Sequence, residues 1–101
     1  MAERPIIKKL LGYAAVDSGQ LIIVDPCYLK SWKDGSAEDT TTHYGKACDI
    51  TNNAQRGGEI TVSHIAGNGV VFGTGGDGNF AVYAHYRQDK TIAKITIENL
   101  Y

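Results

Sequence analysis

A carboxylate, a thiol and a phenol follow an apolar run in residues 21–29, LIIVDPCYL. Asp25 and Tyr28 could bind a ribose or a base, because a carboxylate accepts hydrogen bonds from hydroxyl groups and a phenol combines an aromatic face with a polar tip. Cys27 could bind beside them or act as a nucleophile, although nothing near it in the sequence would lower its pKa. The structural alternative is that Asp25 caps a turn while the thiol and the phenol pack.

A glycine-rich segment, residues 74–79 (TGGDGN), is the second candidate site. Gly76 and Gly78 would let backbone amides converge on a phosphate or a carboxylate. Asp77 would repel a phosphate unless it meets a ribose hydroxyl or an exocyclic amine, and Asn79 adds a further polar group. No lysine follows at the spacing of a Walker loop. The segment therefore indicates either a ligand-binding loop or a tight hairpin whose glycines serve geometry alone.

Three histidines, His43, His64 and His85, recur about 20 residues apart. Two of them could act as acid and base in metal-independent cleavage of a phosphodiester. The spacing of a metal site is absent, so no metal is predicted. His85 shares a predicted strand face with Tyr83 and Arg87, a combination that suits an aromatic base and a phosphate. The alternative for this face is an ordinary exposed polar surface.

A polar segment, residues 30–42, contains Trp32 as its one large apolar side chain. Such a segment buries little surface, so we expect a surface loop anchored by Trp32. Trp32 could also stack on a base. Alternatively, the loop could become ordered against a protein partner.

These residues must be positioned by a few regular elements. The apolar run predicts a central strand over residues 20–25, buried on both faces and ended by Pro26. Residues 10–16 predict a strand that returns into it through a hairpin at Asp17-Ser18-Gly19. Thr42 is predicted to cap a short helix over residues 43–54.

The rest of the chain alternates between apolar and polar residues, which predicts an antiparallel meander over residues 59–65, 70–74, 79–87 and 91–99. The fold class is therefore mainly β (α+β): a strongly bent antiparallel sheet or small open barrel with one short helix. The length of 101 residues predicts a single domain, residues 1–101.

Composition excludes some classes of function. Ten basic and eleven acidic residues give a net charge of -1, which disfavours binding to a DNA or RNA polymer. No apolar run is long enough for a signal peptide or a membrane span, so no membrane association is expected. The same observation predicts a cytoplasmic location, that of the host cell if the protein is phage-encoded, and in such a reducing compartment the two cysteines are expected to be free thiols. No cofactor is predicted.

Two motifs in order, DSG with IVDPCY and then TGGDG with Val82-Tyr83, resemble small uncharacterised proteins of bacteria and their phages that carry D-P-C-Y and T-G-x-G-D-G motifs. The resemblance covers nearly the whole chain. It departs at Asn79-Phe80-Ala81, where an aromatic residue followed by proline is more typical. In size and setting, such proteins resemble phage immune-evasion factors that sequester or degrade cyclic or ADP-ribose-type nucleotide signals.

The leading hypothesis is a small-molecule binding module, a sponge for a nucleotide-like signal. Its pocket would lie between residues 25–28 and residues 75–79, and we expect a homo-oligomer because so small a domain has difficulty enclosing a ligand alone. The alternatives are a metal-independent phosphodiesterase that uses the three histidines, and a module that binds a protein partner without a small ligand. The predicted ligand-binding residues are Asp25, Cys27, Tyr28, Trp32, Gly76, Asp77, Gly78, Asn79, Tyr83, His85 and Arg87.

Overall fold

The computed structural model describes residues 7–63 and 67–99. Within them the chain divides into two compact units, one formed by Ser18–Gly76 and the other by the described residues that flank this segment. The elements in chain order are β1 (Ile7–Val16), β2 (Gln20–Val24), a 3-10 helix (Pro26–Ser31), α1 (His43–Thr51), β3 (Gly57–Ile60), β4 (Gly69–Gly73), β5 (Gly78–Tyr86) and β6 (Ile92–Asn99). The mainly β class with a short helix is confirmed, and it takes the form of two three-stranded antiparallel sheets. The single domain stays a prediction.

One sheet has the strand order β1-β5-β6, and the other has the order β2-β4-β3. The predicted hairpin between β1 and β2 is therefore wrong: Val16 pairs with Gly78 of β5, whereas Gln20 pairs with Gly73 of β4. The predicted meander is also wrong at one step: β4 and β5 do not pair, because they belong to different sheets. Turn residues indicate that the chain changes direction, but the partner of a strand is decided by contacts far away in the sequence.

The predicted central strand β2 is an edge strand of its sheet in the described structure, and β4 lies in the centre. Pro26 does end β2, as predicted. Ile23, however, is 59% exposed. An unbroken apolar run predicts burial on both faces, but only the face with Ile22 and Val24 packs against the core.

The core of the Ser18–Gly76 unit lies between its sheet and α1. A buried cluster joins Ala47 of the helix to Val71 of β4, and the half-buried rings of Tyr28 and Trp32 pack against it. Burial of such side chains contributes about 1.5–3 kcal/mol each relative to exposure. The loop of residues 33–41 is exposed, as predicted.

Helix α1 begins where the sequence predicts, because Thr42 has extended dihedrals and its Oγ1 accepts a hydrogen bond from the Gly45 N–H at 3.1 Å. It ends at Thr51 rather than at residue 54. The backbone N–H of Asn52 donates to the carbonyls of Asp49 and Ile50, which closes the last turn early.

Replacement of Thr42 by Ala is expected to lower the free energy of unfolding by about 1–2 kcal/mol. The hydroxyl is buried, and besides capping the helix it donates to the Asp39 carbonyl at 2.7 Å. Urea denaturation followed by circular dichroism measures the change. Thr40→Ala, at an exposed position two residues earlier, is the matched control and should change little; equal effects of the two substitutions would contradict the capping role.

Candidate functional site

A cavity of about 830 Å³ opens in the Ser18–Gly76 unit, where β2 begins and β4 ends. Small-molecule sites commonly have volumes of about 300–1,000 Å³. Polar groups and glycines dominate its wall, and Arg56 is its one charged residue. The lining residues are Ser18, Gly19, Gln20, Ala37, Cys48, Thr51, Asn52, Arg56, Gly73, Thr74, Gly75 and Gly76.

Backbone hydrogen bonds hold the strand ends together around the cavity. The Thr74 N–H donates to the Gly19 carbonyl at 2.9 Å, and the Gly73 N–H donates to the Arg56 carbonyl at 2.8 Å. Gly19 has φ 69°, a left-handed conformation that glycine adopts without steric cost. The start of β2, the turn before β3 and the end of β4, which are distant in sequence, thus form one rim.

Arg56 has φ 65°, an unusual conformation for a residue with a side chain. Its backbone is held on both sides: the Arg56 N–H donates to the Asn53 carbonyl at 3.1 Å, and the Asn53 side chain exchanges two hydrogen bonds with Gly57, at 3.1 and 2.8 Å. Strained residues that the surrounding structure fixes in this way concentrate at functional sites. The strain therefore marks Arg56 as a candidate binding residue.

The glycine loop that follows β4 also lines the cavity. Gly75 and Gly76 are exposed, and a Cβ atom built on either would meet nothing within 4 Å. The Thr74 hydroxyl donates to the Gly76 carbonyl at 2.7 Å, which fixes the shape of the loop. A ligand group can therefore approach this backbone closely.

The end of α1 forms the floor. Helix carbonyls at a C-terminus carry partial negative charge, which opposes an anion. Here donors occupy these carbonyls: the Thr51 hydroxyl donates to Ala47 and Cys48, and the Asn52 N–H donates to Asp49 and Ile50. This arrangement reduces the repulsion that an anionic ligand would meet.

A second cavity, of about 290 Å³, adjoins the first and shares Ala37, Cys48 and Asn52 with it. Its wall adds the carboxylates of Glu38 and Asp49. The two adjoining cavities therefore differ in charge: Arg56 lines the first, whereas Glu38 and Asp49 line the second.

Of the predicted site residues, Gly76 lines the cavity of about 830 Å³. Asp25, Cys27 and Tyr28 follow the other end of β2, whose five residues span roughly 16 Å at about 3.3 Å per residue. The sequence predicts one pocket between the two motifs. Within the Ser18–Gly76 unit, however, the glycine motif lines a cavity at one end of β2, and the D-P-C-Y segment follows the other end.

The D-P-C-Y segment has the geometry of a structural turn. Asp25 caps the 3-10 helix by accepting from the Cys27 N–H at 3.0 Å, and this hydrogen bond holds the pKa of the carboxyl below its ordinary value. Partial desolvation, followed by the neighbouring Asp25 carboxylate, raises the pKa of the Cys27 thiol. A thiol with a raised pKa is a poor nucleophile. Cys27 is exposed rather than packed, whereas Tyr28 packs at the edge of the core.

The side chains of Trp32 and His43 are in contact. Their rings stack with centroids 5.5 Å apart, and His43 Nδ1 accepts from the Lys33 N–H. Both rings thus anchor the loop of residues 33–41 to the start of α1. His64 lies outside the described residues.

Tyr83 and His85 occupy one face of β5 in the other unit. Lys8 Nζ lies 4.3 Å from the centroid of the Tyr83 ring and 3.1 Å from Glu98 Oε1. His85 Nε2 lies 2.9 Å from Thr96 Oγ1, and desolvation, followed by the charges of Lys94 and Lys8, lowers the pKa of this imidazole.

The remaining predicted residues also lie in this second unit. Asp77 and Asn79 are exposed, and Gly78, with φ 138°, begins β5. Arg87 lies beyond the end of β5 and lines a separate cavity, whose wall includes Tyr86 but not Tyr83 or His85.

Sequence reasoning missed Arg56, Gln20 and the residues at the end of α1. The available signal was a cation next to glycines in a chain of low net charge, but the left-handed backbone of Arg56 has no signature in the sequence.

Comparison of the chain with protein-family models, with curated proteins and with solved structures finds no match. Its function therefore has to be inferred from the chemistry of the site. In the described residues no helix has the length and apolar composition to cross a membrane, and no group of three or more His, Cys, Asp or Glu side chains could hold a metal ion.

Proposed function

We propose that the protein is a small-molecule binding module and that a nucleotide-like ligand occupies the cavity lined by Arg56. The observation that carries the proposal is the strained, braced Arg56, which lines a cavity of about 830 Å³ together with the exposed glycine loop. A guanidinium and backbone N–H groups are the donors that recognise phosphate.

The opposite charges of the two adjoining cavities suit a nucleotide better than a simple anion. A phosphate would bind near Arg56 and the glycine loop, because opposite charges attract. Ribose hydroxyls or an exocyclic amine would bind toward Glu38 and Asp49, whose carboxylates accept hydrogen bonds.

Binding is favoured over cleavage. None of the histidines in the described part of the chain lines either of these cavities, and His43 already uses its ring for stacking and for an intramolecular hydrogen bond. The biological role we propose is sequestration of a cyclic or ADP-ribose-like signal, which is one of the two roles, sequestration or degradation, that the resemblance to phage proteins implies.

Calorimetric titration with ADP-ribose, a cyclic dinucleotide and inorganic phosphate tests the proposal. We expect at least one nucleotide to bind more tightly than phosphate. Arg56→Gln should weaken that binding roughly tenfold to hundredfold, because a hydrogen bond to a charged group contributes about 1.5–3 kcal/mol. Native mass spectrometry of the same samples would give the oligomeric state.

The matched control is Lys30→Gln, which removes the same charge from an exposed position in the same unit and should leave affinity unchanged. Equal binding by the two variants would reject the cavity as the site. A loss of affinity in Tyr83→Ala, with Arg56→Gln unaffected, would instead place the site on β5.

A further inference from the structure

A third cavity, with a different chemistry, lies at one end of the β1-β5-β6 sheet, beside the turn that joins β5 to β6. Its volume is about 400 Å³. The lining residues are Ile7, Lys9, Tyr86, Arg87, Gln88 and Lys90. None of the residues proposed above for the nucleotide cavity takes part in it.

Three of these six side chains are cations: Lys9, Arg87 and Lys90. The nearest carboxylate in the turn is Asp89, which is not part of the wall. Its Oδ1 accepts from Thr91 N and Thr91 Oγ1 at 3.0 and 2.6 Å, and these hydrogen bonds lower the pKa of Asp89 more than the charge of Arg87 does. Asp89 therefore stays ionised and offsets part of the positive charge, but its oxygen is turned to Thr91. The lining itself has an excess of positive charge, which an anion would relieve.

The backbone of the turn holds Lys90 in a strained conformation. Lys90 has φ 72°, and the turn is closed by hydrogen bonds from Lys90 N to the Arg87 carbonyl at 3.0 Å and from Arg87 N to the Thr91 carbonyl at 2.8 Å. Glycine would adopt this conformation without steric cost. In the described ranges, the non-glycine residues at positive φ are Arg56 and Lys90, and each is a cation on the wall of a cavity. Strain at such positions points to function.

The guanidinium of Arg87 is already oriented. Its Nη1 donates to the Ile92 carbonyl at 3.0 Å and approaches Thr91 Oγ1 at 3.4 Å. A guanidinium has five N–H donors in a fixed plane, so this bracing leaves further donors for a ligand and reduces the entropy lost on binding.

Two of the remaining three wall residues, Tyr86 and Ile7, add apolar surface beside the amide of Gln88. Tyr86 is half-buried and offers a ring, and Ile7, 47% exposed, offers an aliphatic surface. A ligand for this cavity therefore needs an anionic group with several acceptor oxygens, attached to an aromatic or apolar body.

We propose that this cavity, which we call the Arg87 site, binds a small phosphate monoester with an aromatic or apolar body. The phosphate would contact Arg87, Lys90 and Lys9, and the body would pack against Tyr86 and Ile7. The Arg87 site is separate from the nucleotide cavity, so it can be right or wrong independently of the proposed function.

Phenyl phosphate is the probe, and amide chemical shifts of the 15N-labelled full-length protein are the readout. Saturable shifts are expected at Lys9, Tyr86, Arg87 and Lys90, with inorganic phosphate binding more weakly because it lacks the ring. Arg87→Gln and Lys90→Gly should each weaken phenyl phosphate binding at least tenfold. Lys90→Gly also relieves the strained backbone, so its loss of binding would not come from misfolding.

Lys94→Gln is the matched control, because it removes a cation from the same sheet at a position opposite His85 that is not part of the wall. Unchanged binding in this variant supports the proposal. Equal losses in Lys94→Gln and Arg87→Gln would overturn it in favour of unspecific attraction, and shifts confined to residues around Arg56 would overturn it as well.

Discussion

Replacement of Gly45 by Ala is expected to lower the free energy of unfolding by about 2 kcal/mol, even though alanine is the better helix former. Gly45 is buried in the first turn of α1, and a Cβ atom there would collide with the backbone carbonyl of Asp39. It would also lie 3.1 Å from the Ser36 carbonyl. Overpacking of this kind costs about 3 kcal/mol, whereas the gain in helix propensity is at most about 1 kcal/mol.

The backbone at Asp39 cannot move away from a new Cβ atom without losing hydrogen bonds. The Asp39 carbonyl accepts from both the N–H and the hydroxyl of Thr42, at 3.1 and 2.7 Å, so a shift would break the helix cap. Urea denaturation of Gly45→Ala measures the cost.

The control for Gly45→Ala is Gly12→Ala in β1, where a new Cβ atom would meet nothing within 4 Å and φ is not positive. Its stability should be unchanged or raised by about 0.5 kcal/mol, because alanine reduces the entropy of the unfolded chain. If both variants were as stable as the wild type, the loop of residues 36–39 would not be packed against α1.

Replacement of Arg56 by Gly is expected to move stability and ligand affinity in opposite directions. The left-handed conformation costs a residue with a Cβ atom roughly 1–2 kcal/mol, and glycine removes that cost while adding entropy to the unfolded state. The free energy of unfolding should therefore stay constant or rise by up to about 1 kcal/mol. Nucleotide affinity should fall at least tenfold, because the guanidinium is lost.

Thermal unfolding and calorimetric titration of one preparation measure both quantities. Arg56→Lys serves as the control: it keeps the charge and the strain, so its stability should match the wild type and its affinity should fall less than in the glycine variant. A glycine variant that is less stable and still binds fully would mean that Arg56 has a structural role only.

The parts of the fold that the sequence predicts are those decided by local contacts. Thr42 reveals the start of α1 because the cap needs only the next three residues, and Gln88-Asp89-Lys90 reveals the turn between β5 and β6 because that hairpin is local. The pairing of β3 with β4 is also between strands that are neighbours in the sequence. Pairing of β1 with β5, by contrast, joins Ile7 to Tyr86, and no turn signal encodes such a partner.

The candidate site was harder to predict for the same reason. Its wall draws on the start of β2, the end of α1, the turn before β3 and the end of β4, so no single segment carries its pattern. The glycine motif was recognised, but its partner in the structure is Arg56 rather than the D-P-C-Y segment.

The pairing of Val16 with Gly78 has a consequence for how the protein folds. Between these partners the chain runs through residues 17–77, 61 in all, and closing a flexible loop of that length costs roughly 3–4 kcal/mol of entropy. Strand β1 has no stable partner until that cost is met. Once residues 18–76 have folded, the hydrogen bond from Thr74 N to the Gly19 carbonyl already holds the two ends of this segment together. The strands that flank it can then pair as if joined by a short turn, so we expect folding to proceed from the middle of the chain outward.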